Sequence, residues 1–341
     1  MRFWSKGKTA LAVVLAILAG TASADDEKHV FMVLWRGETQ VEKGFFDYFA
    51  EVDRPIRFTV TSLARDTGNL PGILDQIASE DPDLVYTWGT STTLGIAGQD
   101  PSIASDPAAY PPKVTDRPVV FTMVSQPVRS QIVAGFQPTG RNLTGVSHIV
   151  PIETQLQAMQ AYMPVDRIAA IYSPTEPNSI LAVEALKETA EAQGIRVDNL
   201  PVPLDGDGQP MASALPALVG EVAQLGPQFL YLGPDSFLGE NAQAVTDAAN
   251  AVGLPTFTST ERLLAGSDAL YGLVAPYAEV GRLTASKVDQ ILFEGAAVSE
   301  IPVTTLPRFS YQIRLDVARN LGVPPAMSLL DFAEIIQAGG E

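Results

Sequence analysis

Residues 30–35 read Val-Phe-Met-Val-Leu-Trp, a near-continuous apolar run typical of a β-strand that is buried on both faces. The segment over 41–52 has the spacing of an amphipathic helix, with Phe45, Phe46 and Phe49 on one side. A buried strand followed by a helix is the repeating unit of a parallel α/β sheet. This stretch therefore predicts an α/β fold, and the same unit should recur along the chain.

The unit does recur in the first half of the chain. Further strands are predicted over 57–62, 84–88 and 119–124, with helices over 72–79 and around 129–135. Strands that alternate with helices at this spacing favour a parallel sheet with right-handed crossovers. The Pro-rich segment from Gly98 to Arg117 has no periodicity and is predicted to be a long surface loop. We favour a plain excursion for this loop over a role in shaping the mouth of a cleft.

A second series of the same kind follows residue 147. Its predicted strands are 167–172, 196–201, 228–232 and 256–259, and its predicted helices are 152–163, 180–193, 215–225 and 239–252. A single core is awkward for a chain of this length. Two series in tandem therefore predict two similar α/β lobes, the first over 25–147 and the second over 148–272.

The first 24 residues have the layout of a secretory signal peptide. Arg2, Lys6 and Lys8 form a positive start, an apolar stretch runs over 10–19, and small residues end at Ala24. The apolar stretch is shorter than the ~18–20 residues that a membrane span needs, which favours a cleaved signal over an anchor. We expect cleavage after Ala24 and a mature protein in the periplasm.

Composition excludes several classes of function. The formal charge is −17, and it becomes −20 without residues 1–24, which carry three basic and no acidic side chains. An acidic chain without a basic stripe argues against binding to nucleic acid or to anionic membranes. The chain has no Cys, which excludes disulfides, zinc–thiolate sites and an acylated cysteine at the cleavage point.

The sequence offers little for catalysis. Its two histidines, His29 and His148, lie far apart, and neither a Gly-x-Ser-x-Gly elbow nor a dinucleotide glycine fingerprint occurs. We therefore predict no catalytic residue, no metal site and no cofactor. Binding without chemistry is the favoured function.

Ligands of parallel α/β sheets bind at the carboxyl ends of the strands, so the candidate binding residues are those that follow the predicted strands. In the first lobe these are Trp35, Arg36, Trp88, Thr90, Ser91, Ser125 and Gln126. Hydroxyls and helix-start amides suit an anionic or carboxylate-bearing ligand, and the tryptophans can stack on a ring. Helix capping by Thr90 and Ser91, and core packing of the tryptophans, are the alternatives.

In the second lobe the corresponding turns contain Glu176, Asn178, Asp235 and Ser236. The two acids can hold a cationic amine, or they are solvated loop carboxylates. Because both acids follow predicted strand ends, we favour binding of a cationic amine over two solvated loop carboxylates.

Five segments also resemble one family. They are 172–179 (YSPTEPNS), 142–147 (NLTGVS), 124–128 (VSQPV), 234–236 (PDS) and 277–282 (YAEVGR). In kind and order they are similar to turns of the ABC transporter substrate-binding family that includes tryptophan/tyrosine-binding proteins. The resemblance implies the type I periplasmic binding fold, in which two Rossmann-like lobes with parallel sheets are joined by a multi-strand hinge. It also implies that part of 273–300 returns to the first lobe and that 301–341 crosses the hinge.

The resemblance implies roles for the site residues as well. Thr90, Ser91 and Ser125 would receive a carboxylate, while Glu176 and Asp235 would pair with an amine. The chain departs from the family pattern in several places: Gln126 stands where Asp is usual, and Ser173 and Thr175 stand where Asn and Gly are usual. The segment over 35–39 does not follow the typical pattern, and the loop over 98–117 resembles an insertion. Arg36 adds a bidentate anion donor at the cleft edge.

These observations together predict the solute-binding component of an ABC-type importer. The ligand would be a small carboxylate-bearing molecule, with an aromatic amino acid favoured, and the protein partners a membrane permease and its ATPase. We expect a monomer. The alternatives are a periplasmic sensor that presents its ligand to a receptor, and an exported two-lobed enzyme, which would need a clustered acid–base pair.

Overall fold

A computed structural model describes residues 27–336, which form two α/β lobes. The predicted signal peptide, residues 1–24, lies outside the described part of the chain. The strands are β1 (Lys28–Leu34), β2 (Ile56–Ser62), β3 (Leu84–Trp88), β4 (Val119–Thr122), β5 (Leu143–Val146), β6 (Arg167–Tyr172), β7 (Arg196–Pro201), β8 (Phe229–Leu232), β9 (Thr256–Thr258), β10 (Tyr271–Val274), β11 (Ser310–Arg314) and β12 (Glu334–Ile336). The helices are α1 (Gln40–Val52), α2 (Leu70–Glu80), α3 (Thr90–Ile96), α4 (Ile152–Tyr162), α5 (Pro177–Glu191), α6 (Leu215–Gln224), α7 (Ser236–Glu240), α8 (Ala242–Ala251), α9 (Glu261–Ala265), α10 (Tyr277–Leu292), α11 (Leu315–Leu321) and α12 (Met327–Leu330).

The two sheets share one topology. The first has the order β2-β1-β3-β4-β5, and the second contains β7-β6-β8-β9-β10 in the equivalent order before it continues to β11 and β12. All described neighbours are parallel except β10 and β11. The predicted α/β class with two mainly parallel lobes is therefore confirmed. In each lobe the strand order reverses between the first and third strands, which is where ligands bind in open α/β sheets.

Burial explains why the opening segment is a strand. Val30, Phe31, Met32 and Val33 on β1 are all 0% exposed, because helices cover both faces of the first sheet. On one face Phe45 and Phe49 of α1 pack against the sheet, as their helical spacing predicted.

The chain passes between the lobes three times, and the second passage returns α10 to the first lobe. There α10 lies directly on α1. A Cβ on Gly44 would stand 2.0 Å from the carbonyl oxygen of Ala278, and one on Gly281 would stand 1.9 Å from that of Val41. Only glycine allows the two helix backbones to approach this closely.

The last passage, after α10, runs beside the first sheet before it enters the second. Thr304 forms a parallel bridge with Val146, the last residue of β5. The ammonium of Lys287, on α10, donates to the carbonyl oxygen of Pro302 at 2.7 Å. Strands β11 and β12 then extend the sheet of the second lobe.

Two predicted helices differ from the structure. The helix predicted around 129–135 is wrong, because the structure has turns there and Gln131 takes a left-handed conformation with φ of 58°. The side-chain carbonyl of Gln131 accepts hydrogen bonds from the backbone N–H and the hydroxyl of Ser105, in the long loop. The helix predicted over 239–252 is divided at Asn241, whose side chain donates to the carbonyl of Phe237 and ends α7.

The α1–α10 contact gives a prediction about stability. We expect Gly281→Ala to lower the free energy of unfolding by about 3 kcal/mol or more, because the new methyl group meets backbone atoms that cannot rotate away. Gly220→Ala is the matched control, since Gly220 lies on α6 with no atom within 4 Å of its Cβ position. That change should stabilise by about 0.5–1 kcal/mol. Urea unfolding measures both, and equal effects of the two changes would contradict the proposed close contact.

Candidate ligand-binding site

A cavity lies between the lobes, at the carboxyl ends of both sheets. Nine of the eleven predicted binding residues line it: Trp35, Arg36, Trp88, Thr90, Ser91, Ser125, Asn178, Asp235 and Ser236. Glu176 lines a neighbouring pocket, together with Tyr110 from the long loop. Gln126 does not line either pocket; its backbone carbonyl accepts from the hydroxyl of Ser130.

The first-lobe wall is held in place by the start of α1. Thr39 and Glu42 form a capping box, in which the backbone N–H of Thr39 donates to the Glu42 carboxylate at 2.8 Å. The hydroxyl of Tyr86, on β3, donates to the other Glu42 oxygen at 2.7 Å. The end of the turn that carries Trp35 and Arg36 is thus tied, through Glu42, to β3.

Arg36 reaches into the cavity. Its guanidinium carbon lies 4.7 Å from the centre of the Trp88 ring, and the side chain is 8% exposed overall. Burial, followed by repulsion from Arg262, lowers the pKa of Arg36 to about 10, so it keeps its charge at neutral pH. Among the described residues no carboxylate forms an ion pair with Arg36, and its Nε has no hydrogen-bond partner.

Three further cavity-lining groups of the first lobe are buried without a hydrogen-bond partner in the described structure. They are the indole N–H of Trp88 and the hydroxyls of Thr90 and Ser125. Gly89, between Trp88 and Thr90, has a φ of 86° and lets the chain turn from β3 directly into α3. A buried polar group without a partner is costly, so a ligand that satisfies these groups gains affinity.

The second-lobe wall is organised by two carboxylates. Asp235 caps α7 by accepting from the backbone N–H of Leu238 at 2.8 Å, and its other oxygen accepts from the N–H of Ser173 at 2.6 Å and from the hydroxyl of Ser179. Burial, followed by the charge of Glu176, raises the pKa of Asp235 to about 6. Asp235 therefore ties the turn after β8 to the turn after β6.

Glu176 also accepts hydrogen bonds from the start of α7. One of its oxygens accepts from the N–H groups of Ser236 and Phe237, each at 3.1 Å. The other accepts from the N–H of Ser236 at 3.0 Å and from the Asn178 side chain at 3.3 Å. In this structure both acids serve to hold strand-end turns together.

Comparison with known proteins identifies the family. The family described as ABC transporter substrate binding protein matches residues 39–335. This chain belongs to that family. The family predicted from the five short segments is therefore confirmed, and it is a family of solute-binding proteins.

Known relatives of this substrate-binding protein share its fold. The tyrosine-binding protein of Clostridioides difficile (strain R20291) is 25% identical over 267 residues, which are 78% of this chain and 70% of that protein. A conserved domain protein from Vibrio cholerae superposes with a TM-score of 0.75 at 20% identity, over 90% of this chain and 99% of that one. An ABC domain from Streptococcus pneumonia in complex with L-Trp gives a TM-score of 0.73 at 22% identity, over 90% and 100%.

The cavity of the substrate-binding protein is also lined by residues outside the predicted binding set: Gly89, Met123, His148, Pro234, Gly239, Thr260, Arg262 and Tyr277. His148 and Thr260 follow β5 and β9, so the strand-end rule would have found them had β5 been predicted and β9 been ended at Thr258. Arg262 and Tyr277 lie inside helix starts, and only the paths of β9 and β10 bring them to the cavity.

His148 is a neutral group at this site. Burial, and then the charge of Arg36, lowers its pKa to about 3. Its ring meets the edge of the Tyr277 ring with 6.2 Å between centroids, and its Nδ1 has no hydrogen-bond partner in the described structure. His148 therefore offers a neutral donor or acceptor across the physiological pH range.

Two ion pairs join the lobes beside the cavity. Arg65, after β2, pairs with Glu240 of α7, and Arg129 pairs with Glu188 of α5 at 2.6 Å. These side chains are partly exposed, so each pair contributes little to stability, on the order of 0–1 kcal/mol. Each pair links a residue of the first lobe to a residue of the second.

The described residues do not suggest a metal site or a membrane span. Among residues 27–336 no cluster of three or more His, Asp or Glu side chains is placed to hold a metal ion. Within the same range no helix has the length and apolar character needed to cross a bilayer.

The raised pKa of Asp235 gives a prediction about pH. Between its ordinary pKa of 3.8 and its folded pKa of about 6, the folded protein binds this proton more readily than the unfolded chain does. Stability from this group is present below pH 4 and is lost as the pH rises through 6. We expect the free energy of unfolding of the wild type, relative to Asp235→Asn, to fall over this window by at most about 1.4 kcal/mol per pH unit. Urea unfolding between pH 4 and 7 tests this, and parallel pH profiles would contradict it.

Proposed function

We propose that this protein is the periplasmic solute-binding component of an ABC importer and that it captures a small carboxylate-bearing molecule between its lobes. The observation that carries the proposal is the convergence of unpartnered buried donors from both lobes on one cavity. Arg36, Trp88, Thr90 and Ser125 come from the first lobe, and Arg262 comes from the second. A ligand that bridges both walls binds the closed arrangement more tightly than the open one, which is what drives closure.

The cavity favours an aromatic ligand. Trp35, Trp88 and Tyr277 all line it, and flat rings stack well on such side chains. Two relatives support the same class, since one is named a tyrosine-binding protein and another was solved with L-Trp. We infer that Thr90, Ser91 and Ser125 contribute to carboxylate recognition, with Arg36 beside them.

We further infer that residues 1–24 direct export and that the mature protein delivers its ligand to a membrane permease coupled to an ATPase. The basic start, apolar stretch and small residues up to Ala24 support export. The family supports the transporter role.

A ligand screen tests the proposed function directly. The protein is expressed with its own leader, purified from the periplasm, and heated with a panel of amino acids, aromatic carboxylates, nucleobases and sugars. A ligand at 100 times its Kd should raise the free energy of unfolding by about 2.7 kcal/mol, visible as a higher Tm. We expect stabilisation by at least one aromatic carboxylate and by no sugar. Stabilisation by no compound bearing a carboxylate would contradict the proposed function.

Removal of one hydroxyl tests the site. Thr90→Val keeps the shape of the side chain but deletes the buried hydroxyl, and a hydrogen bond to a charged group contributes about 1.5–3 kcal/mol. We expect the Kd of the stabilising carboxylate to rise about 10- to 100-fold by calorimetry. Thr246→Val is the control, because that buried hydroxyl donates within α8 to Ala242, outside the cavity. An unchanged Kd in Thr90→Val would remove Thr90 from the site.

A further inference from the structure

The unpartnered polar atoms of the cavity include more hydrogen-bond donors than acceptors. Three are nitrogens that only donate: the Nε atoms of Arg36 and Arg262, and the indole Nε1 of Trp88. The hydroxyls of Thr90 and Ser125 and the Nδ1 of His148, each of which can donate or accept, add to them. No carboxylate oxygen of the cavity residues is among the unpartnered atoms of residues 27–336. The cavity therefore requires acceptors from its ligand.

The carboxylates of Glu176 and Asp235, near the cavity, already accept hydrogen bonds from other groups of the protein. A carboxylate has about four acceptor positions. Glu176 uses them on the N–H groups of Ser236 and Phe237 and on the side chain of Asn178. Asp235 accepts three hydrogen bonds, two from backbone N–H groups and one from Ser179. An ammonium group would have to compete with bonds that hold the second-lobe turns.

The two guanidinium groups lack a matching negative charge. Arg36 forms no ion pair among the described residues. Arg262 has Glu240 at 4.0 Å, but that carboxylate also pairs with Arg65. A guanidinium stacked on a tryptophan keeps its in-plane donors free for a carboxylate. An anion placed between Arg36 and Arg262 would relieve their mutual repulsion.

From this asymmetry we propose that the ligand is an organic anion without an ammonium group, such as an aromatic carboxylate, and that Arg36 selects for its net negative charge. The proposal rests on the proposed function and narrows its substrate class. It replaces the amine pairing expected of Glu176 and Asp235 by a structural role for both acids.

Matched ligand pairs test the proposal. Calorimetry compares phenylalanine with 3-phenylpropionate, tyrosine with 3-(4-hydroxyphenyl)propionate, and tryptophan with indole-3-propionate, so that the members of each pair differ only in the ammonium group. We expect the deaminated member of the best-binding pair to bind at least 10-fold more tightly. Equal affinity, or tighter binding of the amino acid, would overturn the proposal and leave the proposed function intact. Failure of every carboxylate to bind would instead contradict the proposed function, and the narrower class with it.

Substitution of Arg36 supplies the second arm. Arg36→Ala should weaken the deaminated ligand at least 10-fold, whereas Arg36→Lys, which keeps the charge but loses the planar fork, should recover part of the loss. Arg282→Ala is the control, since Arg282 pairs with Glu51 on the surface, and it should bind like the wild type. Circular dichroism and Tm verify that each variant folds. Unchanged affinity in both Arg36 variants would overturn the selection by Arg36.

Discussion

The contact between α1 and α10 positions part of the binding site that lies between the two lobes. At Gly44 and Gly281 the helix backbones lie so close that a single methyl group would overlap a carbonyl oxygen. This contact fixes α10 on the first lobe, although the strand before it belongs to the second. The chain must therefore pass the cleft just before Tyr277, which is how that ring comes to line the cavity. A short-range packing constraint thus sets the position of a residue at the ligand site.

The chemistry of the cavity depends on how its charges are used. The second-lobe acids accept hydrogen bonds from the backbone N–H of Ser173, in the turn after β6, and from backbone N–H groups at the start of α7, which joins the turns after β6 and β8. The first-lobe wall carries the unpaired Arg36 against Trp88. The carboxylates of Glu176 and Asp235 therefore hold the turns of the second lobe together, whereas the guanidinium of Arg36 faces the cavity.

Much of the fold was predictable because it is encoded locally. The apolar run at Val30 and the helical spacing of Phe45 and Phe49 required only neighbouring residues to be interpreted. The region around Gln131 was predicted wrongly for the opposite reason: its left-handed turn is stabilised by hydrogen bonds with Ser105, which lies 26 residues earlier. No local pattern reports a bond of that kind.

For the site, the sequence by itself determined which side chains stand at the ends of strands, and so placed Trp88 and Thr90 at the carboxyl edge of the first sheet and Asp235 at that of the second. Only the tertiary structure decided which residues join these groups in the cavity and which hydrogen-bond partners they have. It brought Arg262 and Tyr277 to the same cavity from helix starts, and it occupied the oxygens of Asp235 with donors from other turns. Strand ends follow from short-range periodicity, whereas the pairing of a buried charge depends on distances between segments that are remote in sequence.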